Sequence, residues 1–362
     1  MRRRTLLLAA FAPGASIPQP ERQTALRFPR DFGTHNDHGI EWWYVTGELQ
    51  AADDASCSPP VASRPPPGGA SNCLGAARRQ LLCGFQLTFF RSRTGLARDN
   101  PSRFAARQLL LAHAAVSDLG ARRLLHAQRV ARWSESDDET LLAFASTQDT
   151  HVRVQDWSLH RGGDGSYRAL LGDRDAGLSR KGPGAGDFSH YYSEPQLAVS
   201  GTLTRGTRQQ AVSGRAWLDH EWSDALLPRE AVGWDWLGIN LDDGSALTAF
   251  RLRRADGSAL WAGGSHRPRN GATHNFAPDE VRFTPGRHWL SPATHASYPV
   301  QWTLDTPLGR HEVRALLDTQ ELDVRASSGT VYWEGLSELR DAQGRRVGRG
   351  YLEMTGYATP LR

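Results

Sequence analysis

Two stretches between Gly214 and Asp242 constrain the fold of this chain more than any other part. They read G-R-A-W-L-D-H-E-W-S-D from Gly214 and V-G-W-D-W-L-G-I-N-L from Val232, so four tryptophans stand beside acidic residues and a histidine. If both stretches are strands, their side chains alternate between two faces. One face of the first strand then holds Leu218, His220 and Trp222, the other holds Trp217, Asp219 and Glu221, and the apolar face of the second strand holds Gly233, Asp235, Leu237, Ile239 and Leu241.

His220 and Asp235 each fall on a face that this pattern marks as buried. A buried ionisable side chain needs a partner, because leaving a charge unpaired in an apolar environment is costly. The two strands also lie close together in the sequence. We therefore predict that His220 and Asp235 form a functional pair.

Frequent turns and alternating apolar residues predict an all-β protein. The 362 residues include 36 glycines and 20 prolines, which favours turns over long helices. Asp243-Gly244 and Asp256-Gly257 each separate two alternating runs, the strongest short-range signal for a hairpin. Strands at this spacing are typical of sandwiches and barrels. Two antiparallel β-barrels of roughly 150 residues each fit the length of the chain.

The N-terminus predicts export. Residues 1–22 begin with an arginine cluster followed by a short apolar run, which is the composition of a signal peptide. We expect a periplasmic or secreted protein, with the Sec and twin-arginine routes both open; the alternative is a disordered basic tail. The first barrel is predicted over residues 25–204, with a disordered insert at 51–77, and the second over residues 205–362.

The three cysteines are too few for a disulfide framework. Cys57 and Cys73 flank the proline-rich part of the insert, and in an oxidising compartment they would be able to pair. Cys83 precedes an apolar strand and is predicted to be a buried thiol.

Charge and motifs argue against several classes of function. The formal net charge is +4 with the arginines scattered, which gives little support for binding nucleic acid. No apolar stretch is long enough to span a bilayer. His220-Glu221 lacks the second histidine of H-E-x-x-H. His35, His38 and Glu41 offer metal ligands in a spacing that matches no zinc pattern, so we predict no metal and no cofactor, with a metal-dependent hydrolase kept as a third hypothesis.

The segment Glu41-Trp42-Trp43-Tyr44 is a second candidate for a functional site. In a strand, Glu41 and Trp43 face one way and Trp42 and Tyr44 the other. This arrangement indicates either an aromatic-lined pocket with one carboxylate or aromatic packing at a domain interface.

Histidine and tyrosine recur at two further places. His190 and Tyr192 are either proton donors or a hydrogen-bonded cluster at the junction of the two halves. His113 stands on an apolar strand face and is either a core histidine or a functional one. The chemistry that these residues support is acid/base catalysis in an aromatic pocket, where tryptophans would stabilise a developing cation.

Several motifs together resemble one family, the carotenoid 1,2-hydratase/AttH-like proteins, which include predicted secreted hydrolases. They are E-W-W-Y-V-T-G (41–47), G-F-Q-L-T-F-F-R (84–91), A-H-A-A-V-S-D (112–118), D-F-S-H-Y-Y-S-E-P (187–195), W-L-D-H-E-W-S (217–223) and G-W-D-W-L-G-I-N-L (233–241). The resemblance implies two lipocalin-like antiparallel β-barrels packed side by side, with a hydrophobic pocket near their interface. It also implies a small hydrophobic ligand, isoprenoid or lipid, and no cofactor.

His220 and Trp222 match the His-x-Trp motif of the family, and Asp235 is the acid of its G-W-D-W motif. Our first hypothesis assigns roles to individual residues. Asp235 would donate a proton to the substrate and His220 would orient it or activate water. The substrate-binding residues would be Glu41, Trp43, Tyr44, His190, Tyr192, Trp222, Trp234 and Trp236. The protein would then be a cofactor-independent hydratase or a hydrolase-like enzyme. The alternative is a non-catalytic lipid-binding protein of the cell envelope that uses the same pocket.

Overall fold

The structure, a computed structural model, describes residues 25–52, 80–96, 99–102, 104–168, 175–180, 188–205 and 207–361. The predicted leader at 1–22, the insert beyond Ala52 and the predicted Cys57–Cys73 pair lie outside these ranges. Cys83 is buried, as predicted.

The first part of the described chain consists of one short 3₁₀ helix, Arg30–Phe32, and eleven strands. The strands are β1 (Ile40–Ala51), β2 (Leu81–Arg93), β3 (Gln108–Asp118), β4 (Arg123–Trp133), β5 (Ala143–Ala145), β6 (His151–Val154), β7 (Trp157–Arg161), β8 (Tyr167–Arg168), β9 (Asp175–Arg180), β10 (Phe188–Arg205) and β11 (Arg208–Ser223).

The second part of the described chain is formed by strands alone. They are β12 (Gly233–Leu241), β13 (Ala246–Arg253), β14 (Ala259–Arg267), β15 (His274–Phe276), β16 (Arg282–Pro285), β17 (His288–Leu290), β18 (Ser297–Pro299), β19 (Gln301–Thr306), β20 (Gly309–Ala315), β21 (Glu321–Asp323), β22 (Val331–Arg340) and β23 (Arg346–Thr355). Among the described residues, no helix is long and apolar enough to cross a membrane.

Two large antiparallel sheets dominate the fold and confirm the predicted all-β class. The first has seven strands in the order β4-β3-β2-β1-β11-β10-β9. The second has ten strands, in the order β15-β14-β13-β12-β23-β22-β20-β19-β16 with β21 added beside β22. A four-stranded sheet, β5 to β8, and the β17–β18 hairpin complete the set. The large sheets curl into lipocalin-like barrels.

Side chains at alternate positions of β1 and β11 form part of the core of the first barrel. Trp43 and Val45 of β1 and Leu218 and Trp222 of β11 lie in one buried cluster. Residues of β5, β6 and β7 pack against the same cluster, so the four-stranded sheet covers the inner face of the seven-stranded one. The side chains between them on β1 and β11 point to the opposite face.

The second barrel has its own core. Leu237, Ile239 and Leu241 of β12 lie in it together with Trp302 and Trp333. These β12 residues are the ones that the sequence places on the apolar face, so that prediction is confirmed.

The predicted division at residues 204/205 falls at the end of β10, beside the hairpin that leads into β11. These two strands pair with each other, and β11 also pairs with β1 along its length, so β11 is a central strand of the first sheet. The chain passes from the first sheet to the second between Ser223 and Gly233. The tryptophan-rich β11 therefore belongs to the first sheet.

A glycine allows the two barrels to approach closely, and ion pairs join them. A Cβ atom at Gly84 of β2 would lie 2.5 Å from Tyr351 Oη and 2.8 Å from Leu336 Cβ in the second sheet. A side chain there would push the sheets apart. Arg349 of β23 donates to Glu48 of β1 at 3.0 Å, which joins the two barrels through a charged contact.

Candidate active site

A cavity of about 1170 Å³ lies between the two sheets. It is bounded by the faces of β1, β2, β3, β10 and β11 that point away from the first barrel's core, and by β12, β13, β14, β22 and β23 of the second. Its described lining includes five tryptophans, Trp42, Trp217, Trp234, Trp236 and Trp261, and four carboxyl residues, Asp219, Glu221, Glu334 and Glu353. Cavities of this kind, largely apolar with a few polar groups, are typical small-molecule sites.

The wall from the first sheet is built of two rows that run across paired strands. In one row, Tyr44 of β1 is paired with Asp219 of β11, and the row continues through Thr88 to His113. The other row is Tyr191, Glu221, Trp42, Phe90 and Leu111. Every one of these residues lines the cavity, because residues directly opposite each other in a sheet share a face.

The wall from the second sheet has a matching row. Glu334 of β22 is paired with Glu353 of β23, which is paired with Trp236 of β12, and Phe250 of β13 follows. Two carboxyl groups on adjacent strands therefore stand side by side within an aromatic wall.

The two walls meet through aromatic and hydrogen-bond contacts. The Tyr44 and Trp236 rings have centroids 5.7 Å apart, and Trp217 lies 6.2 Å from Trp236, both in edge-to-face geometry. His113 Nδ1 and Tyr332 Oη are 3.0 Å apart across the interface. Burial lowers the pKa of His113 to about 4, so its imidazole is neutral at pH 7.

Asp219 has the strongest features of a general acid. Its Oδ1 accepts hydrogen bonds of 2.7 Å from both Tyr191 Oη and Trp217 Nε1. Burial raises the pKa of this carboxyl well above its ordinary value, and the charges of Glu221 and Glu353 raise it further. These effects outweigh the two hydrogen bonds, which lower it. The surroundings of Asp219 therefore favour its protonated form.

Glu334, on the opposite wall, is a second carboxyl group whose surroundings favour the protonated form. Burial raises its pKa well above the usual value, and the neighbouring charge of Glu353 adds to the effect. Its side chain is buried, and Oε1 makes no hydrogen bond to any described residue.

The hydroxyl of Tyr44 resembles Glu334 Oε1 in being a buried polar atom of the cavity wall. It is buried and has no hydrogen-bond partner within the described chain. Tyr44 and Glu334 are near enough for each to shift the pKa of the other, but they do not reach hydrogen-bond geometry. Unpaired buried polar atoms are costly, so both indicate that a ligand or water completes the site.

Three of the ten residues predicted for the site line this cavity, and seven do not belong to its described lining. Tyr44, Trp234 and Trp236 line the cavity. Outside its described lining are Glu41, Trp43, His190, Tyr192, His220, Trp222 and Asp235. The residues that sequence reasoning missed are Trp42, Tyr191, Asp219, Glu221, Glu334 and Glu353.

Glu41 and His220 lie in the interior of the first barrel. Both are fully buried, and His220 Nε2 is 2.9 Å from Glu41 Oε1. Glu41 also accepts from Arg91 Nε at 2.7 Å and from Thr34 Oγ1 at 2.7 Å. His35 Nδ1 lies 2.8 Å from Oε1 of the same carboxylate. Glu41 is therefore the centre of a buried hydrogen-bond network.

The network fixes the charge states of its members. Bonds from His220 and His35 and the charge of Arg91 oppose the cost of burial and hold the pKa of Glu41 well below its usual value. Burial lowers the pKa of His220 to about 4. A neutral His220 that donates through Nε2 can accept through Nδ1, where Tyr192 Oη lies 3.2 Å away.

Three members of this network also form a candidate metal site. His35, Glu41 and His220 each offer one ligand atom, and these atoms lie within 4.8 Å of one another. The donor set is nevertheless suited to hydrogen bonding, because Arg91 places a cation on the carboxylate that a metal would need. These residues fit a structural network better than a metal centre.

The predicted pair of His220 and Asp235 is not formed. Asp235 belongs to the second barrel, where its Oδ2 accepts from Arg251 Nε at 2.7 Å and lies 3.1 Å from Arg253 Nε. Its Oδ1 accepts from Tyr357 Oη at 2.9 Å. The prediction is wrong because each residue points into the interior of its own barrel. The faces of β11 and β12 that meet at the cavity are the opposite ones, which carry Asp219 and Trp236.

We expect the substitution Asp235→Asn to affect stability rather than chemistry. It leaves two arginines without their counter-ion, which should lower the free energy of unfolding by about 2–3 kcal/mol. Urea denaturation measures this loss, and binding or turnover per folded molecule should stay within about twofold of the parent. A loss of turnover in a variant of unchanged stability would restore Asp235 as a catalytic residue.

Two curled antiparallel sheets with separate cores and a cavity between them define the class of paired lipocalin-like barrel proteins. Within that class the chain belongs to the AttH-like family, whose sequence model matches residues 73–357. The suggested family resemblance is thereby confirmed.

Solved structures agree with this assignment. The chain is similar to a putative AttH protein from Nitrosomonas europaea, with 40% identity, a TM-score of 0.76 and coverage of 94% of this chain and 100% of that one. It is also similar in fold to kievitone hydratase from Nectria haematococca, with 15% identity, a TM-score of 0.54 and coverage of 94% and 98%. The comparison with curated protein sequences found no match.

Proposed function

We propose that this protein is a cofactor-independent enzyme of the hydratase or hydrolase type that acts on an apolar small molecule, isoprenoid or lipid, in the cavity between the barrels. The observation that carries the proposal is the buried carboxyl of Asp219, which Tyr191 and Trp217 hold in an aromatic cavity and whose raised pKa favours the protonated form. A carboxylic acid kept neutral by its surroundings is the usual source of a proton for a weakly basic substrate.

The geometry of Asp219 suits proton donation. Both of these hydrogen bonds to the carboxyl go to Oδ1, so neither occupies Oδ2. Oδ2 is thus the oxygen available to carry the proton and present it to a ligand. The indole and phenol donors fix the carboxyl plane without competing for that oxygen.

Hydration of an alkene would use the cavity as follows. Asp219 transfers its proton to one alkene carbon, which leaves a cation at the other carbon. The faces of Trp42 and Trp236 and the carboxylates around them stabilise this cation. Water adds to the cation and gives up one proton to the Asp219 carboxylate, so the acid is regenerated and no cofactor is consumed. Ester or ether cleavage would use the same acid on an oxygen atom.

The relatives support this proposal at the level of architecture. The Nectria protein is named a hydratase, and its similarity to this chain is one of fold. The proposed reaction therefore rests on the cavity and its acids.

The test is a reaction screen in isotopically labelled water. Purified protein is incubated with a panel of apolar alkenes, tertiary alcohols and esters in H₂¹⁸O, and the products are analysed by mass spectrometry. We expect enzyme-dependent ¹⁸O incorporation for at least one class, and the same product from an Asp156→Asn control, whose exposed carboxylate lies outside the cavity. If organic extraction yields a bound lipid that stays chemically unchanged on incubation, and no substrate reacts, the protein is a carrier instead.

A further inference from the structure

Two polar groups, the hydroxyl of Tyr44 and the carboxyl of Glu334, face the cavity from opposite walls. We infer that this pair binds an uncharged hydroxyl group of the ligand, whose apolar body extends along the aromatic walls. The inference rests on the proposed function only in taking this cavity as the substrate site. It concerns how the ligand is recognised and oriented, and it requires no chemical conversion.

Both polar atoms of the pair are buried and unsatisfied. Tyr44 is 6% exposed and Glu334 is 2% exposed, and both line the cavity. Neither Tyr44 Oη nor Glu334 Oε1 has a hydrogen-bond partner in the described chain, although the two groups are near enough for each to shift the pKa of the other. Buried polar atoms without partners are costly. A group that enters the cavity and bonds to both atoms would therefore complete the site.

The protonation state of the pair indicates the kind of group that it binds. Burial raises the pKa of the Glu334 carboxyl and of the Tyr44 phenol well above their ordinary values, which favours the uncharged forms. An uncharged carboxyl and a phenol each donate one hydrogen bond and also accept. An alcohol hydroxyl donates and accepts as well, so it can bond to both at once. An ammonium group cannot accept and a carboxylate cannot donate, and neither finds a counter-charge in this pair.

The pair lies toward the end of the cavity at which the two barrels touch. Leu336, two residues beyond Glu334 on the same face of β22, packs against Gly84 of β2 at the contact between the barrels. In the other direction along β1, Ile40 lines the cavity four residues from Tyr44, a distance of roughly 13 Å in a strand. A ligand held by its hydroxyl group would thus extend its apolar body from the pair toward Ile40.

The pair also lies beside the proposed proton donor. Tyr44 is directly opposite Asp219 on the neighbouring strand, and both side chains face the cavity. Side chains paired in this way have Cβ atoms roughly 5 Å apart. In a hydration reaction, the same position suits the oxygen of the added water and then the hydroxyl group of the product alcohol.

The test uses four probes with the same alkyl chain, namely 1-octanol, 1-chlorooctane, octylammonium and octanoate. Each is titrated by calorimetry at neutral pH into the full-length protein and into its Tyr44→Phe variant, below the solubility or micelle limit of the probe. We expect 1-octanol to bind the parent more tightly than either charged probe does. Tyr44→Phe should weaken binding of 1-octanol about tenfold and that of 1-chlorooctane less than about twofold, because only the alcohol loses a hydrogen bond.

Tyr298→Phe is the matched control. Tyr298 also has a buried hydroxyl without a partner in the described chain, but it belongs to the core of the second barrel and not to the described lining of the cavity. Its substitution should change neither affinity. Tighter binding of a charged probe, or no binding of any probe, would overturn the inference. An equal effect of Tyr44→Phe on 1-octanol and 1-chlorooctane would also overturn it and would indicate that the pair holds only an ordered water.

Substitutions of Glu334 test whether the carboxyl acts in its uncharged form. Glu334→Gln keeps an uncharged group that donates and accepts, so 1-octanol should bind within about threefold of the parent. Glu334→Leu should weaken binding of 1-octanol about tenfold and spare 1-chlorooctane. An equally large loss in both variants would show that a carboxylate is required and would contradict the inference.

These measurements are independent of turnover. Selective binding of the hydroxyl probe by a protein that converts no substrate would sink the proposed reaction and leave this inference standing. Conversion of a substrate without that selectivity would do the reverse.

Discussion

Asp219→Asn should reduce turnover of any substrate found in the screen by about 10²- to 10⁴-fold, the usual contribution of a general acid. The amide oxygen can still accept from Tyr191 and Trp217, so the variant should fold as the parent does. Single-turnover kinetics with the parent and the variant measure the change. A variant that keeps more than about a third of the parental rate would exclude Asp219 as the proton donor.

The pH dependence separates this role from a structural one. The pKa of Asp219 is raised in the folded state, so the protonated form is active and the rate should fall as pH rises through that raised value. The same shift means that ionised Asp219 destabilises the fold, and this cost grows with rising pH. Asp219→Asn should therefore be about as stable as the parent at acidic pH, below the ordinary pKa of 3.8, and more stable than the parent at neutral pH. A variant that is less stable at both would indicate a packing role.

Glu41→Ala should produce the largest loss of stability among single substitutions at charged residues, about 3–5 kcal/mol. The substitution leaves Arg91 as an unpaired buried cation and removes the acceptor of His220 and His35. Guanidinium denaturation measures the effect. Asp305→Asn is the control, because its ion pair with Arg310 is largely exposed and should be worth less than about 1 kcal/mol.

The sign of the pH effect on stability follows from the shifts in this network. The pKa of Glu41 is depressed in the folded state, so its contribution is present above the unfolded value and is lost as pH falls through the folded one. His220 has a folded pKa of about 4 against an ordinary 6.5, so the unfolded chain takes up a proton first. Stability should thus decline as pH falls from 6.5 to about 4. Stability of the Glu41→Ala variant within about 1 kcal/mol of the parent would refute the structural role.

The sequence is sufficient to predict the fold, because a period of two and frequent turns leave few alternatives to antiparallel barrels. It also predicts correctly which residues of β11 share a face. His220 and Trp222 do lie on the buried side with Leu218, and Asp219 and Glu221 do lie on the other.

Sequence reasoning selects the side of the strand that faces away from the cavity. It takes a buried ionisable residue as evidence of function and therefore selects His220 and Asp235. In the structure the two barrel interiors supply partners for those residues, with Glu41 and Tyr192 in one and Arg251 and Tyr357 in the other.

The missing information is the docking of the two barrels. Asp219 and Glu221 look solvent-facing in a single sheet, but in the structure they are buried in the wall of a cavity that the second sheet also lines. Local periodicity reports which residues share a face but not what covers that face. One available signal is Trp217 beside Asp219, since a tryptophan on an outward face indicates a partner surface.

Strands β1 and β11 carry the barrel interior and the cavity wall on alternate positions of the same backbone. A substitution at Trp42, Tyr44 or Asp219 alters what the cavity recognises without disturbing the packing of Trp43 and Leu218 behind it. In evolutionary terms, ligand preference can drift while the barrel core is kept, because selection acts on the two sets of positions separately. A shared family fold is thus compatible with divergent substrates, and each member's chemistry has to be read from its own outward-facing residues.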